Sequence, residues 1–319
     1  MNRRFTIGLL LFLLFVVVLA LLARQFLLAT TPSDGFPGRG GRVALVCVEG
    51  EITGDSEPGT TLLSGLTVSS VNVVEMLEKA REASDIRAVI LRVNSPGGSA
   101  AASHEIYQEV ARVAAEKPLV VSMADMCASG GYYIVSPATY IFANPSTMTG
   151  SIGVIWNLLD LSGLLEKHGV RSNTLKAGEF KDIGSLTRQI KPEEEEMLLQ
   201  MLHQVHEQFI AAVAAGRKLG VEDIRKLANG MIYTGETALE LKLVDELGGL
   251  EAAKAKAREL GGLPADAKVV RYERKRTVFD LFDFLRAGTP AGLPQLTGTP
   301  SRLEFVARRL LLSDISWGA

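Results

Sequence analysis

Short continuous apolar runs alternate with longer amphipathic stretches from residue 42 onwards. Residues 42–49 (RVALVCVE), 87–93 and 119–123 are typical of strands that are buried on both faces. Between them, apolar positions recur at helical spacing from Ser70 to about Ala83 and from after Gly98 to about Ala115. Buried strands separated by amphipathic helices predict βαβ crossovers and an α/β fold whose sheet is covered on both faces.

The second half of the chain is predicted to contain shorter elements. Strands are expected at 140–143, 152–155 and 172–175, and helices at 158–168, 192–219, 221–228, 235–241 and 250–260. The helix from residue 192 begins with Pro192 and four consecutive glutamates, which are residue types that the first turn and the helix dipole favour. The run of acidic residues therefore needs no metal ion to explain it.

Residues 5–23 form an apolar run near the N-terminus. With glycine and one threonine included, the run approaches the roughly 20 residues that a helix needs to cross a bilayer. Arg3 and Arg4 precede it and favour a cytoplasmic start, although Arg24 weakens the charge asymmetry. A cleaved signal peptide is the alternative, but its apolar core is usually only about 7 to 15 residues long. We therefore expect residues 1–28 to be a cytoplasmic start and a single-pass anchor in the cell membrane, with the body of the protein extracytoplasmic.

The predicted domain organisation is simple. Residues 29–41, with two prolines and four glycines, are typical of a linker. Residues 42–265 carry the regular alternation of elements and are expected to form one domain. Residues 266–319 are expected to be a partly flexible C-terminal extension, because several prolines interrupt the pattern there.

Charge and cysteine content exclude some classes of function. The formal net charge of −2 over 319 residues gives no electrostatic case for nucleic acid binding. Cys47 and Cys127 each lie in an apolar segment, where cysteine packs as a small hydrophobic residue, so we do not expect a disulfide framework. His203 and His206 share a helix face but lack an evident third ligand, and no metal site is predicted.

Ser129 is the first candidate for a catalytic residue. It lies in Ala-Ser-Gly-Gly-Tyr-Tyr (128–133), directly after an apolar segment, which is typical of a nucleophile turn that leads into a helix. A serine hydroxyl needs a base, and the base is usually histidine. None of the four histidines lies in a context that suggests a triad, although His104, close to the Gly97–Gly98 loop, is the one that could contribute.

Lys181 is the alternative base. At pH 7 only about 1 in 10³ ordinary lysines is neutral, a handicap of about 4.6 kcal/mol, but burial can lower the lysine pKa by several units. The hypothesis therefore requires Lys181 to be desolvated against Phe180 and Ile183, with a hydroxyl such as that of Ser151 holding its amine. The competing interpretation is an exposed loop lysine that pairs with Asp182.

A tetrahedral intermediate also needs hydrogen-bond donors for its oxygen. Gly98, and as a further candidate Gly97, follow the second predicted strand, while Gly130 stands beside Ser129. We predict that the amides of Gly98 and Gly130 form an oxyanion hole, because ligands of α/β sheets bind where loops at the carboxyl ends of strands converge. The same loop contains Ser95 and Ser99, so a different serine nucleophile stays open at this point.

Four motifs occur in order along the chain: VNSPGGS at 93–99, ADMCASGGYYIVSPA at 124–138, NPSTMTGSIGV at 144–154 and GEFKDIGSLTR at 178–188. Together they resemble the signal peptide peptidase A family, the S49 serine peptidases, in the short form with one catalytic domain behind one membrane anchor. The resemblance covers residues 43–260 and is far more specific than any single motif. Cys127, where a small residue such as alanine is more usual, and Leu186, where proline often follows the serine, depart from the family pattern.

The resemblance implies a fold and a set of roles. The serine of the SGGYY motif is the nucleophile and the lysine of the K-D-x-G-S motif is the general base, which fall on Ser129 and Lys181. The fold implied is the ClpP/crotonase superhelix of repeated ββα units behind one N-terminal transmembrane helix. Remnant signal peptides and other apolar peptides are the expected substrates, with no cofactor. Membrane-tethered homo-oligomers are expected, in which adjacent subunits supply the serine and the lysine of one site.

Two other classes of function remain as alternatives. A crotonase-fold enzyme would use similar paired loop amides on a thioester enolate, but nothing in the sequence suggests a coenzyme A partner. A catalytically silent membrane scaffold is the other alternative, and it lacks positive support because both predicted catalytic residues are present.

Overall fold

A computed structural model describes residues 41–54 and 67–273. The predicted membrane anchor and nearly all of the linker lie outside the described residues, as does almost all of the predicted C-terminal extension. Among the helices within these two ranges, none combines the length and apolar character that a bilayer crossing requires.

Strands and helices alternate along the described chain. The strands are β1 (Arg42–Glu49), β2 (Glu51–Thr53), β3 (Thr67–Ser69), β4 (Ile86–Ser95), β5 (Leu119–Ala128), β6 (Tyr140–Ala143), β7 (Met148–Gly150), β8 (Ile232–Thr234), β9 (Glu246–Leu247) and β10 (Val269–Tyr272). The helices are α1 (Ser70–Glu82), α2 (Ala100–Glu116), α3 (Gly130–Val135), α4 (Ser162–Lys167), α5 (Pro192–Arg217), α6 (Val221–Leu227), α7 (Gly235–Glu240) and α8 (Leu250–Leu260).

The main sheet is parallel along its central path, in the order β10-β1-β4-β5-β6-β9. Strand β5 forks, because its first half pairs with β6 and its last three residues pair with β7. Strand β8 then adds to β7 in the antiparallel direction. A smaller parallel sheet joins β2 to β3. The fork matters for function, since β5 ends at Ala128, one residue before Ser129.

Apolar residues cover the main sheet on both faces, as the continuous apolar runs predict. On one face, Val43, Ile90 and Val120 pack with Ala253 and Ala257 of α8. The other face packs into the larger core, which includes buried residues from α1, α2, α3 and α5. The α/β fold expected from the sequence is therefore confirmed.

Most predicted elements are confirmed, several of them residue for residue. The strands at 42–49 and 140–143 and the helix at 250–260 have the predicted bounds. Strand β5 runs five residues beyond the predicted 119–123. The sequence analysis missed β10, which pairs with β1 and extends the main sheet beyond Ala265.

The predicted strands at 152–155 and 172–175 are wrong. Residues 155–190, which we call the arm, contain only the short helix α4, where a helix at 158–168 was expected. Ile155 is 82% exposed and Leu175 is 99% exposed. A strand needs a neighbour along its length for its backbone hydrogen bonds. Within the described chain, residues 152–155 make one such bond, in which the carbonyl of Ile152 accepts the N–H of Gly230 at 3.1 Å, and residues 172–175 make none.

Candidate active site

Ser129 occupies a strained turn between β5 and α3. Its φ of 51° and ψ of −125° are unusual for a residue with a side chain, and such backbone strain costs about 1 to 3 kcal/mol. Two hydrogen bonds hold the turn, because Ser129 N–H donates to the carbonyl of Gly150 at 2.9 Å and Tyr133 N–H donates to the carbonyl of Ser129 at 2.9 Å. The side chain is half-buried. The predicted nucleophile therefore stands on a sharp strand-to-helix turn, a geometry that exposes a hydroxyl to substrate.

The loop after β4 packs directly against this turn. Gly97 has a φ of +101°, and a Cβ placed on it would lie 2.9 Å from the Cβ of Ser129. A Cβ on Gly130 would lie 2.4 Å from the Oγ of Ser103. Only glycine allows the two loops to approach this closely.

Strand β2 orients the amide of Gly98. Ile52 N–H donates to the carbonyl of Gly97, and Ser99 N–H donates to the carbonyl of Ile52, both at 2.8 Å. In this parallel bridge the N–H of Gly98 points away from Ile52. The Gly98 nitrogen lies 3.3 Å from the position that a Cβ on Gly130 would take. The two predicted oxyanion donors are therefore neighbours, and within the described residues neither amide has a hydrogen-bond acceptor.

The other serines of the loop have structural partners. Ser95 is fully buried, and its Oγ accepts the N–H of Gly97 at 3.1 Å. Ser99 is the N-cap of α2, where its Oγ accepts the N–H of Ala102 at 3.4 Å. Both hydroxyls shape the loop that carries Gly98, which leaves Ser129 as the nucleophile that the geometry favours.

His104 contacts groups other than the nucleophile. Its Nδ1 lies 2.8 Å from the hydroxyl of Tyr133, and its Nε2 lies 3.0 Å from the amide nitrogen of Gln108. Burial raises the pKa of Tyr133 to about 12, so its hydroxyl keeps its proton at neutral pH and can donate it to Nδ1. Both ring nitrogens have partners, and this arrangement disfavours a serine–histidine pair.

Cys127, the departure from the family pattern, is a packing residue. It is fully buried, and its Sγ lies 3.3 Å from the carbonyl of Gly131. Burial raises the pKa of this thiol well above its ordinary value, so the thiol stays neutral. Cys127 and Cys47 are both free.

Lys181 lies on the exposed surface of the arm. Phe180 is 42% exposed, so the expected desolvation of Lys181 does not occur within one chain. The competing interpretation, an ion pair with Asp182, is also absent from the described structure, because Asp182 pairs with Lys176 and Arg188. Within the described chain, Lys181 is therefore exposed and makes no ion pair with Asp182.

Ser151 lies beside the nucleophile turn. It directly follows Gly150, whose carbonyl accepts the N–H of Ser129, and it has a φ of 50°. Ser151 N–H donates to the carbonyl of Met231 at 2.7 Å, which connects this segment to the residue before β8. The structure thus brings together Ser129, Gly97, Gly98, Gly130 and Ser151. Within the described part of the chain, no hydrogen bond joins Lys181 to Ser129 or to Ser151.

Sequence reasoning missed Ser103 and Arg188. Ser103 is 1% exposed, and its Oγ has no hydrogen-bond partner among the described residues. Its position four residues after Ser99, on the inward face of α2, was the available signal. Arg188 bridges Asp182 and Glu194, and its place in the GEFKDIGSLTR motif could have suggested it.

A strained serine turn beside two loop amides is the arrangement that an α/β peptidase site would need. Comparison with known proteins agrees, because the family model for peptidase family S49 matches residues 111–263. The chain is 33% identical over 296 residues to the "Putative protease" of Methanocaldococcus jannaschii, a match that covers 91% of this chain and 94% of that protein.

Two further relatives extend the comparison. The "Putative signal peptide peptidase SppA" of Enterococcus faecium is 36% identical over 239 residues, which cover 75% of this chain and 69% of that protein. Protease 4 of Salmonella typhi is 39% identical over 268 residues, which cover 83% of this chain but only 41% of the relative. This chain belongs to peptidase family S49 and is a peptidase.

Proposed function

We propose that this protein is a membrane-anchored serine endopeptidase that uses Ser129 and Lys181 to degrade remnant signal peptides and other apolar peptides. The observation that carries the proposal is the strained Ser129 turn beside the amides of Gly98 and Gly130, which have no hydrogen-bond acceptor among the described residues. Preorganised amides of this kind stabilise an oxyanion at little reorganisation cost.

The proposed reaction proceeds through an acyl-enzyme. The Oγ of Ser129 attacks the scissile carbonyl while the neutral amine of Lys181 takes the hydroxyl proton. The carbonyl oxygen becomes an oxyanion between the amides of Gly98 and Gly130. Lys181 returns the proton to the departing amine, and it then activates a water molecule that hydrolyses the ester on Ser129.

We further propose that the site is completed between copies of the chain in a homo-oligomer. Lys181 is exposed on an arm whose apolar side chains are also exposed, and six of them are at least half exposed: Ile155, Trp156, Leu159, Leu164, Val170 and Leu175. A soluble surface rarely carries so many exposed apolar side chains without a partner. Burying the arm against a second copy would desolvate Lys181 and bring it to the Ser129 turn of that copy.

Apolar side chains beside the nucleophile support the proposed substrate class. Met148 is 42% exposed, Met231 is 56% exposed and Ile232 is 54% exposed, all on or next to the antiparallel pair of strands β7 and β8. Methionine adapts to apolar groups of varied shape. An extended peptide bound as an added strand would place alternate side chains against these residues.

The proposed setting follows from the sequence and the family. Residues 1–28 would contact membrane lipid as one transmembrane helix and hold the catalytic domain on the extracytoplasmic side. The parallel sheet with its crossover helices supports the proposal that the domain is a ClpP/crotonase superhelix.

The test is peptide hydrolysis by the full chain in detergent. Ser129→Ala and Lys181→Ala are each expected to lower kcat by at least about 10³-fold, because the dyad residues act as a unit. Ser172→Ala and Lys167→Ala, which change exposed residues of the arm and α4, are the matched controls. A fluorophosphonate should label Ser129 in the wild type and not in Ser129→Ala. Hydrolysis that persists in Ser129→Ala would refute the assignment of the nucleophile.

A further inference from the structure

A closed cluster of charges surrounds the residue that follows Lys181. The carboxylate of Asp182 accepts hydrogen bonds from Nε and Nη2 of Arg188, each at 2.9 Å, and from Nζ of Lys176. The same guanidinium donates through Nη1 and Nη2 to the two carboxylate oxygens of Glu194, each at 2.7 Å. Arg188 therefore makes two bidentate contacts, the strongest geometry available to an arginine.

The cluster also connects the arm to the core. Glu194 is 1% exposed, and its Oε2 accepts the N–H of Lys191 at the start of α5. Arg188 Nη2 donates to the backbone carbonyl of Asp182 at 3.1 Å, so the main chain beside Lys181 is held as well. Through Arg188, the loop that carries Lys181 is thus attached to the first turn of the long helix α5.

The charges of the cluster balance. Two carboxylates, of Asp182 and Glu194, face two cations, Arg188 and Lys176. The Arg188 guanidinium, with Lys176, holds the pKa of Asp182 far below its ordinary value, and Arg188 lowers the pKa of Glu194 to about 2. Both carboxylates are therefore ionised at neutral pH and have partners within the cluster.

We propose that Lys176 and Arg188 are positioning residues that hold the Asp182 carboxylate away from Lys181 and so leave the amine of Lys181 without a counter-ion. The inference rests on the proposed function, in which Lys181 is the general base. A base must be neutral to take a proton, and an adjacent free carboxylate would favour the charged ammonium form. The family motif places an aspartate directly after the lysine. In this cluster the carboxylate of that aspartate pairs with Arg188 and Lys176 and not with Lys181.

Glu179 is the other acid of the same loop. Its backbone carbonyl accepts a hydrogen bond from Nζ of Lys176 at 2.6 Å, so Lys176 contacts both acidic residues that flank Lys181. Within the described residues, no hydrogen bond or ion pair joins Lys181 to Glu179 or to Asp182. Lys176 therefore holds the main chain of Glu179 and the carboxylate of Asp182, one on each side of Lys181.

The test is the pH dependence of kcat/KM, measured on the full chain for Lys176→Gln and Arg188→Gln. Each substitution releases the Asp182 carboxylate in part, so the acid limb of the profile should move to higher pH, by about one unit for Arg188→Gln and less for Lys176→Gln. In an Asp182→Asn background neither substitution should move the limb. Arg225→Gln, which removes the ion pair between α6 and Glu207 of α5, is the matched control and should leave the limb in place.

The outcomes separate this inference from the proposed function. A limb that moves in the single variants and stays in place in the Asp182→Asn background would support the inference. Activity that falls equally at every pH, with an unmoved limb, would reduce the cluster to a structural role. Because Arg188→Gln also leaves buried Glu194 unpaired and can loosen the fold, Lys176→Gln provides the decisive comparison. Undiminished hydrolysis by Lys181→Ala would instead overturn the dyad itself.

Discussion

At the scale of single residues, the site depends on backbone groups more than on side chains. The donors proposed for the oxyanion are backbone amides. The strained Ser129 turn sets the direction of one amide, and the two hydrogen bonds that Ile52 makes to the residues on either side of Gly98 set the direction of the other. A substitution can therefore change catalysis by moving the main chain, without removing any group that reacts.

Gly98→Ala should lower kcat/KM by roughly 10²-fold, the loss typical of removing one oxyanion donor. Gly98 has a φ of +151°, and an added Cβ would lie 2.1 Å from the carbonyl oxygen of Ile52, so the loop has to shift and displace the amide. Steady-state hydrolysis of an apolar peptide measures the effect. Gly54→Ala is the control, because a Cβ there meets no atom of the described residues within 4 Å. Equal values of kcat/KM in the two variants would contradict the proposal that the Gly98 amide is an oxyanion donor.

At the scale of elements, helix α5 is the support for the arm. Pro192 begins the helix, and the carboxylate of Glu194 accepts the N–H of the N-cap residue Lys191 while it also binds Arg188. The buried residues Phe209, Ile210 and Val213 fix the far half of α5 in the core. The arm has little regular structure of its own, so its attachment to this first turn governs where Lys181 lies.

Glu194→Gln should lower the melting temperature at neutral pH, and the difference from wild type should disappear in acid. The folded-state pKa of Glu194 is lowered from 4.5 to about 2, so its stabilisation is complete above the ordinary value and is lost as the pH falls towards about 2. Thermal unfolding at a series of pH values measures this. Glu193→Gln, an exposed neighbour in the same turn, should change little. A melting difference that persists below about pH 2 would show that the carboxylate charge is not the cause.

At the scale of the whole molecule, no hydrogen bond within the described residues joins the two proposed catalytic residues. Ser129 is set in the compact core, whereas Lys181 lies on the exposed arm. An arm rich in exposed apolar side chains is a suitable surface for contact with a second copy. The proposed dyad therefore makes activity a property of the assembly.

Mixing two inactive variants should restore hydrolysis. Ser129→Ala and Lys181→Ala subunits that assemble together would form some sites with an intact serine from one copy and an intact lysine from another. Random pairing of equal amounts predicts roughly a quarter of the wild-type sites. The measurement is peptide hydrolysis after the two variants are dissociated and reassembled together, with each variant reassembled alone as the control. Failure to restore activity in verified mixed assemblies would mean that each chain holds its own complete site.

The local pattern of apolar residues was sufficient to predict the elements whose side chains are buried in the core. Continuous apolar runs predicted β1 and β6, and helical periodicity predicted α8, because burial of a strand or a helix face leaves its period in the sequence. The same reasoning failed at 152–155, where Ile152 is buried but Ile155 is 82% exposed, and at 172–175, where Leu175 is 99% exposed. An apolar segment favours burial, but its sequence alone does not say whether a neighbouring strand of the same chain will bury it.

The sequence by itself determined the α/β class, the order of the central elements and the residue types at Ser129, Gly98, Gly130 and Lys181. Only the tertiary structure decided the fork of β5 towards β7, the bridge between Ile52 and Gly98, and the pairing of Asp182 with Lys176 and Arg188. The physical reason is that these contacts join main-chain groups and charges whose sequence separation leaves no periodic signal. Which carboxylate a cation binds depends on where the folded chain places both.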